Sequence, residues 1–262
     1  TPKQVLLYRA LDRELPVFGH VPMIMGPDKK RLSKRHGAMS VLEYKKAGYL
    51  PQALNNYLVR LGWSYGDQEI FSTKELVEKF SLQNLSKSPC VFDPDKLIWV
   101  NSQHIKAASP QELDLHLQEF LEANGLPRSG GQYLCKVIPL LQPRARTLQE
   151  MAEWAAPFVR QDEDLVHDQK LLDKFLTTEV RQHLAEIASR LRELPEFDQS
   201  SLESCLSAYV EEAGIRFKLL AQPIRVALTG SKASPGLFET MEVLGRQSVV
   251  TRLEQAISKA GE

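Results

Sequence analysis

Apolar residues recur at the spacing of an α-helix along most of the chain, and one early stretch departs from that pattern. Residues 5–11 have apolar positions at helical spacing, whereas residues 17–25 form a nearly continuous apolar run that predicts a buried β-strand. A helix and a strand of this kind are typical of the end of an α/β unit. The helix has no preceding strand and no clear cap of its own. We therefore expect the chain to begin inside a domain.

From about residue 40 onward the pattern predicts helices that begin at recognisable caps. Pro51 starts one that runs to Leu61, and Pro94 starts another. Ser72 is followed three residues later by Glu75, which is the sequence pattern of a capping box ahead of an apolar run. These signals predict a mainly helical fold for the greater part of the chain.

The last half of the sequence predicts two helical bundles. A helix begins at Pro110, and one face of it carries the residues expected in the core, which are Leu113, His116, Leu117, Phe120 and Leu121. The most linker-like stretch, residues 124–131, follows this helix. Two bundles are expected to meet near residue 168. The predicted segments of the chain are 1–39, 40–110, 111–167 and 168–262.

The charge distribution changes along the sequence although the formal net charge of the 262 residues is zero. Residues 1–50 contain ten Lys and Arg against four Asp and Glu, a balance of +6, so the remainder carries −6. A neutral chain argues against a nonspecific nucleic-acid binder, because such proteins have a cationic surplus. Any contact with phosphate is therefore expected first in the N-terminal segment.

Cysteine spacing and hydropathy indicate in which cellular compartment the protein is expected and whether it is expected to bind a metal. Cys90, Cys135 and Cys205 stand far apart, which excludes the spacing of a zinc site or a disulfide framework and predicts buried thiols in a reducing compartment. No apolar run approaches the roughly 20 residues that would cross a bilayer, and no signal peptide is evident. We expect a cytoplasmic protein with no membrane partner and no metal site.

A basic loop follows the predicted strand, and its residues resemble a known signature. Lys29 and Lys30 precede Arg31, Leu32, Ser33, Lys34 and Arg35, so five cations lie in one short loop, which in most sequences is only a solvated surface turn. Here the order resembles the KMSKS loop of class I aminoacyl-tRNA synthetases, and residues 32–38 resemble the version found in bacterial-type glutamyl-tRNA synthetases.

The resemblance implies a role for each residue of this loop in binding ATP. Lys34 stands at the second lysine of the signature, which stabilises charge on the triphosphate while the substrate carboxylate attacks the α-phosphate. Arg31 stands where the family usually has the first lysine, and a guanidinium can also bind phosphate. The complete enzyme uses ATP with Mg²⁺ as a substrate, and no cofactor is expected to bind this chain alone.

The same family resemblance extends over nearly the whole chain. Residues 51–58, Phe92 with Asp93, and Lys96 with Leu97 resemble the stem-contact domain, although each string also fits an ordinary capped helix with core residues. The implied fold is mainly α. It comprises the tail of a Rossmann-type catalytic domain (1–39), a helical stem-contact connector (40–110), and an all-helical anticodon-binding domain of two subdomains (111–167 and 168–262).

The resemblance also implies an anticodon site near the end of the chain. Residues 222–245 resemble the anticodon-binding domain, in which the matching positions, Arg225, Ser234, Pro235 and Leu237, contact the first two anticodon bases. Taken alone these residues are a loop tip and core. An arginine at the place of Arg144 recognises the third base and separates glutamate tRNA from glutamine tRNA, which implies a discriminating enzyme. Arg144 and its neighbour Arg146 would otherwise be solvated cations at a helix end.

These residues leave three functions open. The leading one is part of a glutamate–tRNA ligase, in its complete form a monomer that binds ATP, glutamate and tRNA(Glu). The chain alone is expected to be inactive, because no HIGH-like motif occurs in it. The alternative is a free-standing tRNA-binding module. A glutaminyl-tRNA synthetase is disfavoured, because its anticodon region is rich in strands and this one lacks alternating patterns.

The remaining polar and aromatic residues have simpler interpretations. None of the six histidines has the spacing of a triad or a metal pair. The acidic residues 162–164 predict a solvated turn between helices. Trp63, Trp99 and Trp154 are expected in the core.

Overall fold

The computed structural model describes residues 1–32 and 40–260, most of which are helical. The helices are α1 Pro2–Ala10, α2 Val41–Lys46, α3 Pro51–Arg60, α4 Thr73–Lys79, α5 Pro94–Ala107, α6 Pro110–Ala123, α7 Gly131–Leu141, α8 Leu148–Val159, α9 Gln169–Phe175, α10 Thr178–Glu193, α11 Gln199–Glu212, α12 Lys218–Thr229 and α13 Leu237–Lys259. Two short parallel strands, β1 Ile24–Met25 and β2 Cys90–Val91, pair with each other. The predicted mainly helical fold is confirmed.

The chain forms two compact units, Thr1–Asn101 and Ser102–Glu262. The finer division at residues 40, 111 and 168 stays a prediction.

The helix starts predicted from capping signals are confirmed. Helices α3, α5 and α6 begin at Pro51, Pro94 and Pro110. The Oγ atom of Ser72 accepts the backbone N–H of Glu75, whose carboxylate in turn accepts the backbone N–H of Ser72. This N–H of Ser72 is the main cause that lowers the pKa of Glu75 to about 2, so the cap keeps its charge in mildly acidic solution.

The buried strand predicted over residues 17–25 is wrong. Only Ile24 and Met25 are in a strand, and Val17 and Val21 are exposed. A strand is buried when neighbouring strands and helices cover it, and the pairing described for this segment involves only its last residues, which pair with β2 and with the short return at Arg31 and Leu32. The helix predicted over residues 5–11 is confirmed as α1, which has no buried residue.

The core of the first unit joins the two strings that resemble the stem-contact domain. The Tyr57 hydroxyl of α3 accepts the backbone N–H of Asp93 at 2.7 Å and donates to the Asp93 carbonyl at 2.9 Å. The ring of Tyr57 packs edge-on against Phe92. Asn56 is fully buried, and its side-chain amide bonds to the backbone of Glu69 and Phe71. Asn56, Tyr57 and Phe92 are therefore core, as their pattern predicted, whereas Asp93 is exposed.

The second unit consists of two groups of helices, α6 to α8 and α9 to α13. The face predicted for α6 is buried at Leu113, Leu117, Phe120 and Leu121, and His116 is half-buried. One hydrophobic core cluster packs residues of α9 to α13 together. The three cysteines are unpaired and half-buried, so full burial was wrong for them.

A close approach between backbone segments occurs at Gly230, which ends α12. Gly230 has φ +68°, and a Cβ atom added there would lie 2.2 Å from the carbonyl oxygen of Val166. Only a residue without a side chain fits such a contact. The end of α12 and the segment before α9 are therefore packed directly against each other.

We expect Gly230→Ala to destabilise the chain by roughly 3 kcal/mol or more, because positive φ and the contact with Val166 act together. Gly214→Ala is the matched control, since Gly214 has φ +64° with no atom within 4 Å of the added Cβ. It should cost only about 1 to 2 kcal/mol. Urea unfolding midpoints of both variants check this, and equal losses would contradict the close contact.

Candidate functional site

Two of the expected anticodon residues meet although they are ninety positions apart in the sequence. Arg144 lies in the turn between α7 and α8, and Ser234 lies in the loop between α12 and α13. The Nη1 atom of Arg144 donates to the carbonyl oxygen of Ser234 at 2.7 Å. Arg144 is otherwise exposed. Its remaining guanidinium donors are thus available for a ligand at the surface.

Arg225 adds a second guanidinium close to the first. It lies on α12 and is half-buried, and its Nε atom is inaccessible to solvent and has no hydrogen-bond partner among the described residues. Burial is the main cause that lowers the pKa of Arg225, and the positive charge of Arg144 adds to it. Two neighbouring cations favour an anionic or acceptor-rich ligand.

The loop between α12 and α13 is ordered by its own hydroxyl groups. Thr229 donates to the Arg225 carbonyl at 2.8 Å, and its Oγ1 atom accepts the backbone N–H of Ser231. Ser231 accepts the backbone N–H of Ala233 in turn. These bonds order the start of the loop whose Ser234 carbonyl accepts from Arg144.

Leu237 differs from the other expected anticodon residues. Its side chain is buried as the first residue of α13 and belongs to the core cluster of the second unit. The interpretation of Leu237 as core is therefore confirmed by its burial. Any contact between Leu237 and a base would have to involve its backbone.

A cleft of about 420 Å³ lies beside Arg144. Its wall includes residues of α7, α8, the segment before α9, and the loop after α12, which are Leu140, Leu141, Arg144, Glu153, Trp154, Ala156, Pro157, Phe158, Arg160, Leu165, Val166, Thr229, Ser231, Ala233, Ser234 and Pro235. This volume is within the range of about 300 to 1,000 Å³ that is usual for ligand sites. Most of the wall is apolar, and cations lie at its edge.

Trp154 lines this cleft, and the sequence did not predict that a tryptophan would do so. Trp63 is buried as expected, but Trp99 and Trp154 are each 40% exposed, so their placement in the core was wrong. Trp154 lies off the buried face of α8. The apolar stripe of α8 is complete without Trp154, and this could have suggested that the residue is exposed.

Arg252 of α13 is a buried cation behind the cleft, with 1% of its surface exposed. Its Nε atom donates to the Asp162 carboxylate at 2.6 Å, and its Nη1 atom donates to the carbonyls of Pro157 and Leu228 at 2.7 and 2.8 Å. These partners stand at the ends of α8 and α12. The prediction that Asp162 belongs to a merely solvated turn was wrong, because the carboxylate neutralises Arg252.

Arg146 and Arg144 occupy different environments although they are two residues apart. The guanidinium of Arg146 forms a two-point ion pair with Glu150 in the first turn of α8, with a shortest distance of 2.6 Å. Arg146 is thus the exposed helix-end cation that the sequence allowed for both arginines. Arg144 alone of the two reaches the cleft.

The basic loop is described only at its start. Met25 forms an antiparallel bridge with Arg31, and the backbone N–H of Leu32 donates to the Ile24 carbonyl at 3.0 Å. This tight return places the exposed Arg31 beside β1. Ser33, Lys34 and Arg35 lie outside the described residues.

Residues 1–32 and 40–260 contain neither a cluster of metal ligands nor a helix that could span a membrane. No group of three or more His, Cys, Asp or Glu side chains there is arranged to hold a metal ion. Within the same ranges, every helix is too short or too polar to span a bilayer.

Comparison with protein families gives two matches that together cover most of the chain. Residues 111–257 match the anticodon binding domain family, and residues 1–99 match the catalytic domain of class I tRNA synthetases (E and Q). The cleft lies wholly inside the first of these matches.

Individual relatives agree with the family matches. The chain is 49% identical to glutamate–tRNA ligases of Syntrophobacter fumaroxidans and Desulfosudis oleivorans over 257 residues, 98% of this chain and 54% and 55% of the relatives. It is similar to the crystal structure of a glutamate tRNA ligase from Elizabethkingia meningosepticum in complex with its amino acid. That similarity has a TM-score of 0.81 and 25% identity, and it covers 98% of this chain and 55% of the other. The chain thus spans about half the length of these relatives. The alternative of a free-standing tRNA-binding module is not favoured, because the relatives are named glutamate–tRNA ligases.

We expect Arg252→Met to destabilise the chain by about 3 to 5 kcal/mol, because it leaves the Asp162 carboxylate and two carbonyls without their donor. Arg192→Met is the matched control, since Arg192 pairs with Glu254 at the surface and such pairs contribute about 1 kcal/mol or less. Urea unfolding measures both. If both variants lose the same free energy of unfolding, the buried contacts of Arg252 contribute no more to stability than the surface pair of Arg192.

Proposed function

Because the chain belongs to the glutamate–tRNA ligase family, we propose that it supplies the tRNA-recognising part of a ligase that activates glutamate with ATP and transfers it to tRNA(Glu). The observation that supports this most directly is the bond from Arg144 to the Ser234 carbonyl. It joins two segments that were each expected to contact the anticodon, and Arg225 lies close enough to affect them electrostatically.

The chemistry of the cleft suits an unpaired base. Single-stranded bases are recognised by turning them out of the stack and bonding their edges to arginine or backbone groups. We propose that the third anticodon base binds at Arg144, and that the first two bind near Arg225, Ser234, Pro235 and Leu237. Few net charges are needed for such contacts, which is consistent with a neutral chain.

Arg144 is proposed to separate cytosine from guanine at the third position. The Watson–Crick edge of cytosine offers acceptors to a guanidinium, whereas that of guanine presents N–H donors. A donor facing a donor leaves both without a partner in a site that excludes water. Because the Ser234 carbonyl holds one end of the guanidinium, the other donors have a fixed direction. This supports a discriminating ligase.

The basic loop is proposed to bind ATP. Lys34 would stabilise charge on the triphosphate as the α-phosphate is attacked, and Arg31, Leu32, Ser33 and Arg35 would complete the loop. The family uses ATP with Mg²⁺, and both belong to the complete ligase. We also propose that the ligase acts as a monomer in the cytoplasm, where tRNA and ATP are available.

The chain is expected to prefer a stem-loop whose third anticodon base is C over one whose third base is G. We expect Arg144→Gln to reduce this preference by about 1 to 3 kcal/mol, the range of one base-edge contact. Fluorescence anisotropy with the two labelled stem-loops measures it. Arg146→Gln is the control, because Arg146 is paired with Glu150 outside the cleft. A preference that survives Arg144→Gln, or no preference in the unchanged chain, argues against Arg144 as the discriminator.

We expect Lys34→Ala to lower glutamate activation about 100- to 1,000-fold in a complete ligase that contains this sequence, the usual effect of losing one preorganised charge contact. ATP–pyrophosphate exchange with glutamate is the measurement. Lys46→Ala, an exposed lysine at the end of α2, serves as the control. A change below about threefold would mean that the loop is only a surface turn.

A further inference from the structure

Trp154 is a partly exposed aromatic residue in the wall of the cleft. The buried face of α8 consists of Leu148, Met151, Ala152, Ala155, Phe158 and Val159, and Trp154 is not part of it. Among residues 1–32 and 40–260, no aromatic ring stacks on Trp154 and no cation lies over it. Trp99 has the same 40% exposure, but the Lys96 ammonium lies 4.1 Å from its ring centroid. Trp154 therefore contributes apolar surface that the fold itself leaves uncovered.

The surroundings of Trp154 favour a flat ligand that carries acceptors and negative charge. The ring lines the same cleft as Arg144, Arg160 and Glu153, and the small or rigid residues Ala233 and Pro235 line it as well. Two guanidinium groups against one carboxylate give the cleft a positive balance that disfavours a cationic ligand, although an indole face by itself would attract one. A stacked base satisfies both features, since its ring covers the indole while its edge and its phosphate face the cations.

We propose that Trp154 is a stacking platform for one unpaired nucleobase of the anticodon loop, the base whose edge Arg144 contacts. This inference rests on the proposed function and deepens it, because it names a residue that holds the base by its face rather than by its edge. Stacking is tolerant of base identity. Trp154 should therefore increase affinity for every stem-loop, while Arg144 determines which base is preferred.

Two measurements on the 262-residue chain test the platform. Titration with an unlabelled anticodon stem-loop should quench part of the tryptophan emission, and the quenching should disappear in Trp154→Phe and persist in Trp99→Phe. A stem-loop without a base at the third anticodon position should bind with little quenching. Trp154→Ala should lower affinity about 5- to 150-fold for the C-ending and G-ending stem-loops alike. Trp99→Ala should leave both affinities unchanged.

The outcomes separate this inference from the proposed function. If Trp154→Ala binds as tightly as the unchanged chain, or if quenching survives Trp154→Phe, the platform is wrong, and the effect of Arg144→Gln on base preference still stands by itself. If Trp154→Ala changes the ratio between C and G rather than both affinities, the separation of the two roles is wrong. If no stem-loop binds the unchanged chain, both proposals fail. Trp154→Phe retains an aromatic ring and should fold normally. An unchanged unfolding midpoint of this variant shows that the loss of quenching is not caused by a loss of folding.

Discussion

The second unit depends on the burial of a single charge, the guanidinium of Arg252. A cation removed from water is unfavourable unless an anion and acceptors replace the water, and here the Asp162 carboxylate and carbonyl groups at the ends of α8 and α12 do so. These acceptors surround Arg252 only when both helix ends lie against α13. The cleft lies between the same helix ends, so the arrangement that satisfies Arg252 also sets the separation of Arg144 and Ser234.

Features of the fold that depend on neighbours three or four residues apart could be predicted from the sequence. The cap formed by Ser72 and Glu75 and the helix start at Pro51 are local, because their partners lie within one turn. The strand at residues 17–25 was wrong for the opposite reason. An apolar run shows that a segment can be buried, whereas burial itself depends on elements that pair with it, and the pairing described here involves only the last residues of the run.

The candidate site was predictable where a family motif names the residues and was not predictable where packing decides. The resemblance named Arg144 and Ser234 in two separate segments, but their contact became visible only in the structure, because no spacing in the sequence brings them together. Trp154 carries no motif, and tryptophan is usually buried, so its exposure in the cleft became visible only with the helix orientation known. The pairing of Asp162 likewise requires α13 in place.

The contacts of Arg252 also determine when the cleft can form during synthesis. Its partners Asp162, Arg160 and Pro157 precede it by 90, 92 and 95 residues, so they leave the ribosome long before it does. Helices α6 to α8 close through local contacts and can fold early, but the Asp162 carboxylate stays solvated until α13 has been made. A nascent chain that stops within α12 would thus have helices and no cleft. The cleft is then among the last features of the second unit to form as the chain folds.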